Sequence, residues 1–122
     1  MAAISIHAEV WIASRLLSCV QEHFSKREIM GLIKREFEDE RPGVSVHVSS
    51  VCVANKSPNN PVVYNHLYSV ARGAYRILKT KDKVHPDRIG AATQPSVDEI
   101  PSRFMYLLNE TFFTKEPRED SV

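Results

Sequence analysis

Between His7 and His23 the apolar residues Val10, Ala13, Leu17 and Val20, joined by Leu16 and Cys19, recur at steps of three and four. That is the period of an amphipathic helix, and it predicts a first helix over this stretch. A second begins after Phe24. Ser25 stands three residues before Glu28, a capping box in which each residue satisfies an orphan backbone donor of the other. Phe24 at the N′ position and Ile29 at N4 complete a hydrophobic staple, and Ile29, Leu32, Ile33 and Phe37 form the buried stripe. Pro42-Gly43 is a strong stop, so this helix is expected to end between Glu38 and Arg41.

The pattern from Val44 to Asn55 admits two readings. Its first half alternates with period two and is rich in valine, which suits a half-buried strand. Val44, Val48, Val51 and Cys52 also share one helical face, with Asn55 as a C-terminal stop. Tertiary context must decide, because propensity is a weak prior. Lys56 to Asn65 reads as a loop. Leu67-Tyr68-Ser69-Val70 and Tyr75-Arg76-Ile77-Leu78 then flank Ala71-Arg72-Gly73-Ala74, the signal of a β-hairpin. Lys79 to Pro95 lacks an apolar period and is expected to be an extended connection. Ser96 and Glu99 make a second capping box, Pro101 fits the first position of a short last helix carrying Phe104, Leu107 and Leu108, and Lys115 to Val122 is a polar tail. One domain over residues 1–114 with a frayed tail over 115–122 is the expected organisation.

Composition agrees with one modest core: 122 residues, 43% of them hydrophobic. The net charge of +1 favours no partner in bulk. Its distribution is uneven, however. From Arg41 to Arg88 there are eight basic residues (Arg41, Lys56, Arg72, Arg76, Lys79, Lys81, Lys83, Arg88) and two acids (Asp82, Asp87). Such a surplus suits a polyanion if folding gathers it on one face. Cys19 and Cys52 lie in separate apolar patterns without metal-ligand spacing, and both read as small buried hydrophobes. The start of the chain lacks a signal-like region and no stretch reaches the length of a membrane span, so a cytoplasmic protein without membrane attachment is expected.

The elements in order are helix, helix, tight break, a third segment that closes the motif if helical, loop and hairpin. This is the layout of a winged helix-turn-helix, mainly α with a β-hairpin wing (α+β). The chain resembles a family of small prokaryotic winged-helix domains, often uncharacterised and sometimes associated with restriction-type systems. The resemblance lies in Phe24-Ser25-Lys26-Arg27-Glu28-Ile29, in the segment from Val44 to Asn55 and in that from Leu67 to Leu78, about the middle half of the chain. It implies that residues 44–54 form a recognition helix, and double-stranded DNA as the partner. On that reading Ser45, Val46, His47, Ser49 and Ser50 face the groove, and Lys56, Arg72, Gly73, Arg76, Lys79, Lys81 and Lys83 meet the backbone. The recognition segment has no Arg, Lys, Gln or Asn before Asn55, so direct base readout is weak and phosphate contacts carry the binding. If about five cations neutralise phosphates, log K falls against log salt with a slope near −4 to −5.

A homodimer through the first helix, including Trp11, and the segment from Phe104 to Phe113 would double the contact. The alternative is the same fold used as a protein-interaction module. No cofactor or metal is expected, since His66 and His85 match no ligand spacing. No enzyme motif is present either. The acidic run Glu36, Glu38, Asp39 and Glu40 lacks the lysine spacing of a Mg²⁺-dependent nuclease, and the valines around Cys52 would bury its thiol and raise its pKa.

Overall fold

The computed structural model describes residues 4–108. The first helix, α1 (Ile6–Ser18), is more deeply placed than its stripe suggests, because every residue from His7 to Ser14 is buried. It packs against the second helix, the third helical segment, a strand and the last helical stretch, so almost its whole circumference meets protein. It stops at Ser18, short of the expected His23; Val20 is 72% exposed and Cys19, expected to be buried, is also exposed. The chain then turns into a two-residue strand, β1 (Phe24–Ser25), and enters α2 (Lys26–Phe37) directly.

The capping box at the start of α2 is formed. The Glu28 backbone N–H donates to Ser25 Oγ at 3.1 Å, and the Ser25 N–H donates to the Glu28 carboxylate at 2.8 Å. Phe24 and Ile29 are both buried in the core, as the staple requires. The helix runs to Phe37 and closes on Glu38 in the left-handed conformation (φ 53°), at the near end of the expected Glu38 to Arg41 range, although Pro42-Gly43 is not what stops it. Pro42 and Gly43 instead open the third helix: α3 (Gly43–Val46) passes without a break into a π-helical turn (His47–Val51). The ambiguity of this segment is thus settled as helix, with Val44, Val48, Val51 and Cys52 buried together. Gly43 fits because a Cβ there would lie 2.9 Å from Ile6 Cδ1.

The hairpin forms as expected, from β2 (Leu67–Ala71) and β3 (Ala74–Ile77). β3 is the central strand of a three-stranded antiparallel sheet in the order β1-β3-β2, with Phe24 opposite Tyr75 and Leu67 opposite Ile77. Tyr75 and Ile77 point to the core and alternate with half-buried Ala74 and Arg76. The outer edge of β2 is partly covered. Val53 bridges Leu67, and the Asn55 side-chain amide exchanges two hydrogen bonds with the Ser69 backbone at 2.9 and 3.0 Å.

Beyond the sheet, Pro86–Arg88, Val97–Glu99 and Ser102–Leu108 are 3-10 stretches; the second carries the predicted Ser96–Glu99 capping box. The fold is therefore mixed α+β, with helices packed on a small antiparallel sheet. Among the described residues no helix is long and apolar enough to cross a membrane. The tail over 115–122 and the part of the Phe104–Phe113 segment after Leu108 lie outside the described residues.

Candidate nucleic-acid interface

The hairpin turns through Arg72 and Gly73. Gly73 has φ 73° while Arg72 does not enter the positive-φ region, and a register shift between Ser69 and Ala71 absorbs the mismatch. Glycine is needed here for its backbone conformation, since a Cβ would meet nothing within 4 Å. Because β1 pairs with β3 up to this turn (Ser25 opposite Ala74, and the Lys26 N–H donating to the Gly73 carbonyl at 3.3 Å), the tip sits level with the start of α2. The hairpin is flush with the body and does not project past it as a free arm.

That register brings Arg72 beside Lys26 and Arg27. A cleft of about 590 Å³ runs along α2 to the start of α3, lined by Lys26, Arg27, Lys34 and Arg41, by Asp39 and Glu40, and by Met30, Gly31 and Val44. Among the described residues, Lys26, Arg27 and Arg72 have no carboxylate within ion-pair distance. Lys34 approaches Glu40 at 3.6 Å with both side chains well exposed, a pair of little worth. Nearby Glu28 is turned back onto the Ser25 N–H and Gln21.

On α3 the expected groove-facing residues divide. Val46 is 47% exposed, and Ser45 and His47 are half-buried. His47 Nδ1 donates to the Gly43 carbonyl at 2.8 Å, Ser49 Oγ donates to the Ser45 carbonyl at 3.0 Å, and Ser50 Oγ donates to Asn59 Oδ1 at 2.8 Å. Their polar atoms thus have partners within the chain, which reduces further what they could spend on base edges.

The remaining predicted cations sit at the other end of the sheet. From Gly73 to Lys79 an extended chain covers about 20 Å. Arg76, expected at a phosphate, is instead held by Asp82 through two hydrogen bonds of 2.7 and 2.8 Å, with both side chains 12% exposed, and its guanidinium lies 4.4 Å from the Tyr68 ring centre. Hydrogen bonds from Arg76 and from the Lys79 N–H, with their charges, hold Asp82 below the usual carboxylate range in spite of its burial. Lys79 pairs with Glu22 at 3.6 Å. Lys56 donates to the Ser49 carbonyl at 3.0 Å, at the negative end of the third helix, and Lys81 and Lys83 are exposed.

Arg88 is the largest departure from the charge reading. It is 1% exposed, and its guanidinium donates to the carbonyls of Ser50, Val51, Lys56 and Tyr64 at 2.7 to 3.0 Å. At the C-terminal end of the π turn the Ser50 and Val51 carbonyls also accept from the Val53 and Tyr64 N–H groups, and the guanidinium adds a second donor to each. Arg41 is likewise committed, to Asp39 at 2.6 to 2.9 Å and to Glu9 at 3.3 Å. Of the eight basic residues counted between Arg41 and Arg88, Arg41, Lys56, Arg76, Lys79 and Arg88 are engaged by acids or carbonyls.

Two buried polar clusters escaped the sequence reading. His7 Nε2 donates to Glu99 at 2.8 Å, and its Nδ1 lies 3.2 Å from Nε2 of buried His66, while Tyr64 stacks on the His7 ring at 3.8 Å. Burial and the neighbouring His7 hold His66 down to about 3, so it is neutral. Glu9, only 2% exposed, is pushed up to about 8 by burial and by Asp39. The signal available was weak: polar residues at helical positions among apolar neighbours.

Trp11 is a core residue at 1% exposure, while Leu16 and Leu17 near the end of α1 are only partly buried. In the last 3-10 stretch Phe104 and Leu107 are buried and Tyr106 is 49% exposed. Cys52 is buried, and desolvation raises its thiol as expected. No group of three or more metal-ligating side chains occurs among the described residues. No known protein family, characterised protein or solved structure matches the chain.

Proposed function

We propose that the protein is a winged helix-turn-helix domain that binds double-stranded DNA, as a cytoplasmic transcriptional regulator or an accessory DNA-binding module of modest sequence specificity. The observation that carries this reading is that Lys26 and Arg27 line the cleft that reaches the start of α3 and Arg72 stands in the adjoining hairpin turn, where the Lys26 N–H donates to the Gly73 carbonyl, all three without a carboxylate partner among the described residues. The order α1-β1-α2-α3-β2-β3 supports it, because α2 braces α3 and the sheet carries the turn beside them.

The binding is mainly to the backbone. α3 offers Val46 to a thymine methyl and few free donors, and the flush hairpin brings Arg72 to a phosphate without entering a groove. Three well-placed cations correspond to a salt slope of about −2.7, shallower than the −4 to −5 expected from the sequence. Fluorescence anisotropy with a random duplex at several salt concentrations tests this. Binding that weakens with that slope supports the assignment, and salt-independent binding or none at low salt contradicts it.

A second reading has its own observation. The apolar wall formed by Met30 and Val44, together with exposed Val46, would suit a protein-interaction module whose partner carries acidic residues around an apolar anchor. Such a module would leave the duplex unbound at low salt.

A further inference from the structure

The turn between α2 and α3 is tied to the start of α1 by a small knot of side chains. The Arg41 guanidinium donates to the Ile4 carbonyl at 2.8 Å, to the Asp39 carboxylate at 2.6 to 2.9 Å and to Glu9 Oε2 at 3.3 Å. Asp39 also accepts from the Arg41 backbone N–H at 2.8 Å. The turn leads straight into α3, where the Val44 N–H donates to the Arg41 carbonyl at 3.1 Å. Two carboxyl groups therefore share one guanidinium in a place that water scarcely reaches, since Glu9 is 2% exposed and the Asp39 side chain 6%.

Glu9 Oε1 has no N–H or O–H donor from any described residue, and the group that lies against Glu9 is the Asp39 carboxylate. Two carboxyl groups hydrogen-bond to each other only when one of them carries a proton. We propose that Glu9 donates such a proton to Asp39 and that this bond is a latch: it holds the turn over 38–42, and with it the start of α3, against α1, and it is released when the proton leaves to solvent. The proton belongs to Glu9 because the two acids sit differently. The guanidinium of Arg41 holds Asp39 far below the usual carboxylate range, whereas burial and the neighbouring Asp39 push Glu9 up to about 8.

The other charged groups around Glu9 are Glu36 and Glu38 from the end of α2 and Asp98, Glu99 and Arg103 from the 3-10 stretches. Arg103 is bound to Glu36, and His7 of the same helix to Glu99. Of the remaining elements packed on α1, α3 brings no charged side chain, the π turn brings His47, which is held on the Gly43 carbonyl, and Arg76 of β3 is closed onto Asp82. No free cation among the described residues replaces the proton when it is lost. A turn that opens lets Glu9 into water, where it titrates near 4.5. Opening then releases a proton at any pH between 4.5 and about 8, so it is favoured as pH rises across that window; above it both states are ionised and the dependence ends.

Hydrogen exchange of the full chain without nucleic acid, followed by NMR from pH 5 to 9 and corrected for intrinsic rates, tests this whatever the neighbouring cleft binds. The Val44 and His47 amides, which donate to the Arg41 and Gly43 carbonyls, are expected to be less protected than those of the central strand β3. Their opening should rise by up to about tenfold per pH unit to about pH 8 and then level off. Glu9→Gln keeps a donor for Asp39 and cannot ionise, so the slope should vanish with protection retained. The Glu9 carboxyl ¹³C shift should titrate near pH 8 in the unmodified protein and at lower pH in Asp39→Asn; this reading decides even if Glu9→Gln fails to fold. Three results would overturn the proposal: a Glu9 midpoint in the ordinary carboxylate range, turn and α3 amides whose opening has no pH slope or keeps it in Glu9→Gln, or a turn that opens only together with β3.

Discussion

The two ends of the three-stranded sheet carry similar numbers of basic residues and use them differently. At the base, Arg76 is closed onto Asp82, Lys79 onto Glu22, and Arg88 is buried among four carbonyls. At the tip, Arg72, Lys26 and Arg27 have no acid within reach among the described residues. Arg76, Lys79 and Arg88 are held by partners within the fold, Lys81 and Lys83 near them are exposed, and the three tip cations have no acid partner among the described residues. What separates them is not residue type but whether the chain returns an acid or a carbonyl to the same place. Asp82 comes back because the chain turns after Lys79; no comparable return occurs at Gly73.

The largest effect should come from Arg88→Met. It removes the guanidinium from four carbonyls; those of Ser50 and Val51 keep the backbone N–H groups of Val53 and Tyr64, while those of Lys56 and Tyr64 lose this donor, and an unsatisfied buried acceptor costs about 1–3 kcal/mol. A loss of about 2–3 kcal/mol in urea unfolding is expected, while a loss near zero would mean that the clamp is dispensable. Next, changing Lys26, Arg27 and Arg72 together to alanine should leave the urea midpoint nearly unchanged. It should lower duplex affinity at low salt by about two orders of magnitude and flatten the salt slope by nearly 3.

Arg76→Ala should do the reverse. It removes one partner of a largely buried pair, so about 2 kcal/mol of stability should be lost, below the cost for a fully buried pair, with little change in duplex affinity of the folded protein. A selective loss of affinity would blur the distinction between the two ends. Stability should also depend on pH. Glu9 rises from 4.5 in the unfolded chain to about 8 in the fold, so the native state holds an extra proton between these values. Its contribution is present at low pH and is lost as pH rises across that window. Glu9→Gln should flatten urea stability between pH 5 and 8. The smallest effect is Gly43→Ala: the new Cβ meets only the mobile end of Ile6, and the gain in helix propensity should offset the adjustment, leaving stability within about 0.5 kcal/mol.

Local chemistry made α2, the hairpin and the late capping box legible in the sequence, because Ser25 with Glu28, Gly73, and Ser96 with Glu99 act on their immediate neighbours. The valine-serine segment was ambiguous because its alternation and its helical face share the same valines; packing against α1 and α2 selects the helix. Charge was the least legible property. Counting from Arg41 to Arg88 treated Arg88 and Arg76 as surface cations, and their partners come from up to 38 residues away in the chain for Arg88 and six for Arg76. Lys26 and Arg27 were passed over as part of a helix cap, and only the β1–β3 register places them beside Arg72. The burial of α1 on all sides also escaped the pattern, since a stripe at helical spacing says what is buried at least, not at most.

The most direct test compares two triple variants by anisotropy on the same random duplex across a salt series: Lys26, Arg27 and Arg72 to alanine, and Lys79, Lys81 and Lys83 to alanine. The tip variant is expected to lose most of the affinity and the greater part of the salt dependence, while the base variant stays close to the unmodified protein. Equal losses in the two, or a larger loss from the base variant, would contradict the assignment of the ligand to the tip.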